Sequence, residues 1–261
     1  MELRKQHEAV HYDNLARRWA KEGAKKSEDA DVEALEHGVF ASYRFCEEWI
    51  KAHVKKGNRV LDYGCGNGIH SILPAKFGAE VTGIDLSRES LKIARRRAER
   101  QGVAHAARFL AMDCEKLALR WRSFDVVFDG GTFSSLDLAK AIPEISRVLK
   151  PKGTLIAIET LGHNPLTNLK RQINKVRGKR TTWAVDHIFK MKDIALIKNH
   201  FKHVETHYFN LLSLAAFPSR TLPGGPLFLR ALEAIDHILL KFPPLKRYAF
   251  KIVVIAQNPK V

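Results

Sequence analysis

Asp62, Gly64, Gly66 and Gly68 stand at alternate positions between a short β-branched run and a helical one that begins near Ile69. Glycines placed this way permit a tight turn and let a ligand reach backbone N–H groups that a Cβ would shield. The amino end of the following helix favours a negative group. This is the local chemistry of a nucleotide site. A dinucleotide loop of the form G-x-G-x-x-G would need a third glycine where Ile69 stands, which weighs against NAD or FAD. Asp85 lies 23 residues after Asp62, at the tip of the next expected strand. A carboxylate there can accept from both hydroxyls of a ribose, with Leu86 flanking the base. After the third strand, Asp113 can accept from an adenine amino group while the backbone N–H of Cys114 meets a ring nitrogen. The Cys114 side chain reads as packing filler.

Alternating β-branched and helical runs must position these groups, the pattern of a parallel sheet covered by helices. Strands are expected at Arg59–Tyr63, Glu80–Ile84, Arg108–Met112, Phe124–Phe128 and Thr154–Glu159, and two more at His203–Leu212 and Tyr248–Gln257. Ser87 caps a helix running to Gln101, on which Leu91, Ala94 and Ala98 recur at helical spacing. Leu138–Leu149 forms another, stopped by Lys150-Pro151-Lys152-Gly153. The expected fold is α/β: a Rossmann-like, seven-stranded, mostly parallel sheet with helices on both faces. A helical cap over residues 1–57 precedes it, with a charged loop at Lys21–Asp31, and an insertion separates the last two strands. That insertion, residues 213–247, is far longer than a hairpin needs. The domain proper is 58–261, with cap segments 160–190 and 213–247.

The runs VLDYGCGNG, VTGIDLS, AMDCEKL, FDVVFDGG and EISRVLKPKGTLIAIE occur in this order over residues 60 to 159. Together they resemble the class I S-adenosylmethionine (SAM)-dependent methyltransferases, especially the type 11-like enzymes of small-molecule and lipid-like substrates. The resemblance implies SAM as cofactor, with its methionine carboxylate at the helix amino terminus. It also implies a pocket lined by Asp62, Gly64, Cys65, Gly66, Gly68, Asp85, Leu86, Asp113 and Cys114, with Asp129 close to the sulfonium. Gly130 and Gly131 depart from the polar or bulky stretch that many members carry after the fourth strand. The Asn/Asp-Pro-Pro-aromatic element of nucleic-acid amine methyltransferases is absent there, as is the Pro-Cys pair of RNA cytosine enzymes.

Both cap segments follow carboxyl ends of strands and are expected to enclose the acceptor. Methyl transfer needs a base only when the nucleophile carries a proton of high pKa, and histidine suits a hydroxyl acceptor. His163 ranks first, just past the fifth strand, and His187 second, with Asp186 to orient a histidine. Tyr12, in HYDNLARRW, resembles a cap tyrosine of related enzymes, and packing of the first helix explains it equally well.

The net charge of +16 is concentrated in residues 164–261, which hold 17 Lys and Arg against 5 Asp and Glu. Such a bias suits nucleic acid, anionic lipid, an acidic small substrate or simple solubility. The run Leu227–Phe242 is unusually apolar. It fits a membrane interface, a tunnel for a long apolar acceptor, or a helix packed on the sheet or a partner subunit. The amino terminus lacks a secretion signal and no window spans a bilayer, so a cytoplasmic protein is expected, peripheral to the inner membrane face if the insertion meets lipid. Cys46, Cys65 and Cys114 form no CxxC pair, and no metal is expected. The leading reading is methylation of an apolar or amphiphilic small molecule, oxygen favoured. An RNA methyltransferase and a non-catalytic SAM-binding or membrane-surface protein stand as alternatives, and the oligomeric state is left open.

Overall fold

The computed structural model describes residues 2–23, 40–178, 180–219 and 222–260. Most of the expected Lys21–Asp31 loop lies outside them. Among the described residues two helices, α1 (Leu3–Gly23) and α2 (Ala41–His53), precede β1 (Arg59–Tyr63). Next come α3 (Ile69–Lys76), β2 (Glu80–Asp85), α4 (Arg88–Arg100), β3 (Ala107–Ala111), β4 (Phe124–Asp129), α5 (Leu138–Val148) and β5 (Leu149–Thr160). The second half holds α6 (Pro165–Val176), α7 (Thr182–Asp186), α8 (Asp193–His200), β6 (Phe201–Phe209), α9 (Gly225–Leu239), α10 (Pro243–Lys246) and β7 (Lys251–Pro259).

The seven strands form one sheet in the order β3-β2-β1-β4-β5-β7-β6. β7 runs antiparallel to both its neighbours and all other pairs are parallel. Alternation along the strands divides the core, because successive side chains point to opposite faces. Val126, Phe128, Ile156 and Ile158 meet α2, α3 and α4 on one face. Val127, Leu155 and Ala157 meet the layer containing Ile142, Ile145 and Ile197 on the other. Cys46 and Ile50 bring α2 into the first of these cores, so among the described residues of the expected amino-terminal cap α1 alone stands clear of the sheet.

Ser87 caps α4 as expected, its hydroxyl accepting from the amide of Ser90 at 3.0 Å. α5 ends at Val148, where the stop was expected, but Lys150-Pro151-Lys152-Gly153 already belong to β5, which starts five residues earlier than expected. Leu149 pairs with Phe124, the register shifts between Phe124 and Val126, and Lys150 grips both carboxylate oxygens of Asp125 at 2.8 Å. β6 ends before Leu212 because Asn210 turns into the left-handed region, φ 61°. α9 starts earlier than the apolar run, with Pro226 in its first turn, where a missing N–H is no loss.

Candidate active site

β1 and β4 are neighbours whose following segments diverge to opposite sides, which opens a crevice at their carboxyl ends. A cavity of about 270 Å³ lies there. Its floor is the loop after β1. Gly64 has φ +65°, and a Cβ on it would collide with the side chain of Thr132. A Cβ on Gly66, φ +50°, would meet nothing within 4 Å, so the backbone there is open to a ligand. The carboxylate of Asp85 accepts from Gly66 N at 2.9 Å and from Ser87 N at 2.7 Å. Burial raises its pKa despite these amides. Leu86, Asp113 and Cys114 line one side, and Gly130, Gly131 and Thr132 another.

The roof of this cavity is α1, and among the described residues none from 160–190 or 213–247 lines it. Arg4 and Lys5 pair with the buried Glu115 at 2.5 and 2.9 Å, and Lys5 also with Asp113 at 2.7 Å. Tyr12 OH lies 3.0 Å from Ser135 Oγ. Asp13 accepts from Ser87 Oγ at 2.6 Å and Glu89 N at 3.1 Å, at the amino end of α4. Leu15 and Trp19 complete an apolar roof.

The expected residues thus divide. Gly64, Cys65, Gly66, Asp85, Leu86, Asp113, Cys114 and Tyr12 come together at the cavity. Asp62 lies beneath it, 1% exposed, bonded to Ser71 Oγ at 2.5 Å. Burial pushes its pKa up to about 7. Gly68 packs under Ala94 and Phe109, where a side chain would not fit. Asp113 has its oxygens engaged by Glu115 N and Lys5. Asp129 turns away from the cavity into the core. It bonds Gly131 N and Thr132 N, while burial and the adjacent Glu159 carboxyl raise its pKa well above the carboxylate range. Glu159 in turn holds Phe133 N at 2.7 Å, so the two acids fix the turn that carries Gly130 and Gly131.

Neither ranked histidine reaches this cavity. His163 Nε2 accepts from Met191 N at 3.1 Å, and exposed His187 stacks on Trp183 at 3.5 Å. The imidazole that does line the cavity is His70, in the first turn of α3. Its ring lies 5.7 Å from Tyr43, nearly parallel, and 4.9 Å from Phe128, and it sits against Gly130, where a Cβ would meet its Nε2. Burial, with Lys251 and Arg97 adding to it, lowers its pKa to about 4. His70 also lines a second cavity of about 240 Å³ between α2 and α3. The sequence signal for it is slight: a lone imidazole in the mostly apolar helix IHSILPAK.

Among the described residues no cluster of ligands suited to a metal is present. A glycine-floored crevice, a strand-tip carboxylate and an apolar wall under a roof, on a sheet of order 3-2-1-4-5-7-6, define a class I SAM-dependent methyltransferase fold. Residues 54–207 match the family model described as a methyltransferase domain, and the chain belongs to that family. Over 117 residues it is 33% identical to the ribosomal protein L11 methyltransferase of Syntrophomonas wolfei, covering 44% of this chain and 37% of that protein. Over 127 residues it is 35% identical to the ubiquinone biosynthesis O-methyltransferase of Bordetella avium, covering 45% and 49%. The matches therefore span less than half the length of these curated relatives. The geranyl diphosphate C-methyltransferase of Streptomyces coelicolor, solved with S-adenosyl-L-homocysteine, superposes with a TM-score of 0.55 at 17% identity, covering 84% of this chain and 76% of that one.

Proposed function

We propose that this protein binds SAM in the roofed crevice and transfers its methyl group to an apolar or amphiphilic small molecule, with oxygen the favoured acceptor atom. The observation that carries the reading is the pairing of Asp85 with Gly66. It places a carboxylate beside a loop whose backbone is open, the combination an adenosyl ligand with a free amino-acid carboxylate requires. The curated relatives agree with it at the level of reaction type, since one is a ubiquinone biosynthesis O-methyltransferase and the other a ribosomal protein methyltransferase.

When bound, SAM supplies an electrophilic methyl on a sulfonium. The protein's part is alignment and exclusion of water. On this reading Asp85 and Leu86 hold the adenosine, the amides of the glycine loop take the methionine carboxylate, and α1 closes the crevice. His70, neutral near pH 7, is the side chain suited to accept a proton from an acceptor hydroxyl, with Tyr12 and Ser135 as a second polar pair at the roof.

Calorimetric titration with SAM, and in parallel with NAD, tests the cofactor. Micromolar binding of SAM and none of NAD is expected, followed by labelled methyl transfer to an acceptor in a panel of phenolic, quinol and isoprenoid compounds. Absence of SAM binding overturns the reading.

A further inference from the structure

Helix α6 is inside out. Leu166, Leu169, Ile173 and Val176 form a stripe along it and all face solvent, Leu166 at 77% and Val176 at 89% exposure. Its protein side holds Thr167 and Arg171 instead, with the Arg171 guanidinium donating to the carbonyl of Leu161 at 2.9 Å. An amphipathic helix at a water-facing surface has the opposite arrangement. Helix α9 repeats the inversion. Leu227, Phe228, Ile235 and Ile238 point outward, Leu227 at 77% exposure, and Phe242 continues the line. Asp236 points inward, where its carboxylate gathers the amides of Leu211, Leu212 and Ser213.

The two helices belong to one end of the molecule. β5 and β6 are parallel, separated only by β7, so α6 and the segment leading to α9 leave the same sheet edge about 10 Å apart. Asn164, which caps α6, also donates to the carbonyl of Tyr248 at the foot of the second segment, at 3.0 Å. That edge carries the glycine loop and the cavity.

We propose that the outward faces of α6 and α9 dock the protein on an anionic lipid bilayer. Charge selects this occupant. Lys170 and Arg177 accompany the first stripe and Arg230, Lys241 and Arg247 the second, all exposed, while the acids of these helices are turned inward or paired. Apolar side chains flanked by Lys and Arg insert at the boundary between acyl chains and anionic headgroups. A second copy would bring two surfaces of the same sign together, and RNA would leave the apolar stripe without a counterpart. The inference deepens the amphiphilic-acceptor reading, since an enzyme so seated would face acceptors dissolved in the membrane.

Co-sedimentation of the full chain with vesicles tests it without cofactor or acceptor. Wild type is expected to pellet with phosphatidylcholine vesicles containing phosphatidylglycerol and to remain in solution with phosphatidylcholine alone. The pairs Leu169→Asp/Ile173→Asp and Phe228→Asp/Ile238→Asp should each weaken partition about tenfold or more. Charge reversal at Lys241 and Arg247 should do the same without altering the apolar stripe. Circular dichroism and SAM titration on the same samples separate loss of docking from loss of fold, and from failure of the cofactor reading. Equal partition of wild type and variants overturns the proposal, as does indifference to phosphatidylglycerol. So does a wild-type dimer in light scattering that the aspartate pairs convert to monomers, or loss of RNA binding rather than vesicle binding in those pairs.

Discussion

The carboxylate of Asp85 accepts the amide of Gly66 at 2.9 Å, tying the tip of β2 to the floor of the crevice before any ligand arrives. One oxygen thus shapes the loop, and the other is shared with Ser87 N. Asp85→Ala is therefore expected to remove ligand contacts and loosen the loop together. SAM affinity should fall by about a hundredfold or more, with the circular dichroism spectrum retained, as charge-assisted hydrogen bonds of this kind are worth about 1.5–3 kcal/mol each. Unchanged affinity in a calorimetric titration would remove Asp85 from the cofactor site.

His70→Phe keeps the aromatic stack with Tyr43 and Phe128 but has no nitrogen to accept a proton. With a hydroxyl acceptor, turnover should fall about 10²- to 10⁴-fold, well beyond any change in SAM affinity. Because burial holds the wild-type pKa at about 4, the imidazole is already neutral at pH 6, and its acid limb belongs near pH 4 in a kcat/KM profile. A limb near pH 6.5 that vanishes in the variant would contradict the buried environment.

Asp62 has a pKa raised by burial from 3.8 to about 7, so the native state keeps a proton that the unfolded chain has released. Its contribution to stability is present in full below pH 3.8 and is lost as pH rises through 7. Asp62→Asn, which keeps an acceptor for Ser71, should flatten this dependence. The urea midpoint of wild type should fall between pH 5 and pH 8 relative to that of the variant, by about 2–3 kcal/mol in unfolding free energy.

The roof is held by Arg4, Lys5 and Asp13, all contributed by α1. The double substitution Arg4→Ala/Lys5→Ala should speed SAM release in stopped-flow displacement by about tenfold, given roughly 1 kcal/mol for partly exposed pairs. Asp13→Ala, which strips the amino end of α4 of an acceptor, should also lower thermal stability by about 1 kcal/mol. Release at the wild-type rate in both would mean that α1 does not gate the crevice.

The first five strands lie within a few residues of where β-branched runs place them, because each is flanked by glycine, proline or a capping residue. The glycine loop was legible for the same reason: its spacing is local. What the sequence concealed is held by distant partners. A helical cap was legible in the first residues, but Lys5 meets Asp113 across 108 positions, so the contacts that hold α1 over the cavity were not. Asp129 reads as a site carboxylate until Glu159, arriving from the neighbouring strand, pairs with it in the core. His163 follows the fifth strand, as a base should, yet the local turn hands its nitrogen to Met191. On α6 the apolar residues recur at helical spacing, but periodicity alone does not say which side faces the protein.

The reversed direction of β7 gives the second half of the chain a freedom the first half lacks. Phe209 and Lys251 sit opposite one another in adjacent antiparallel strands, so everything between them departs from and returns to the same pair of anchors. Closing such a loop becomes harder only with the logarithm of its length. Insertions and deletions there can leave every strand in register and the crevice between β1 and β4 unaltered.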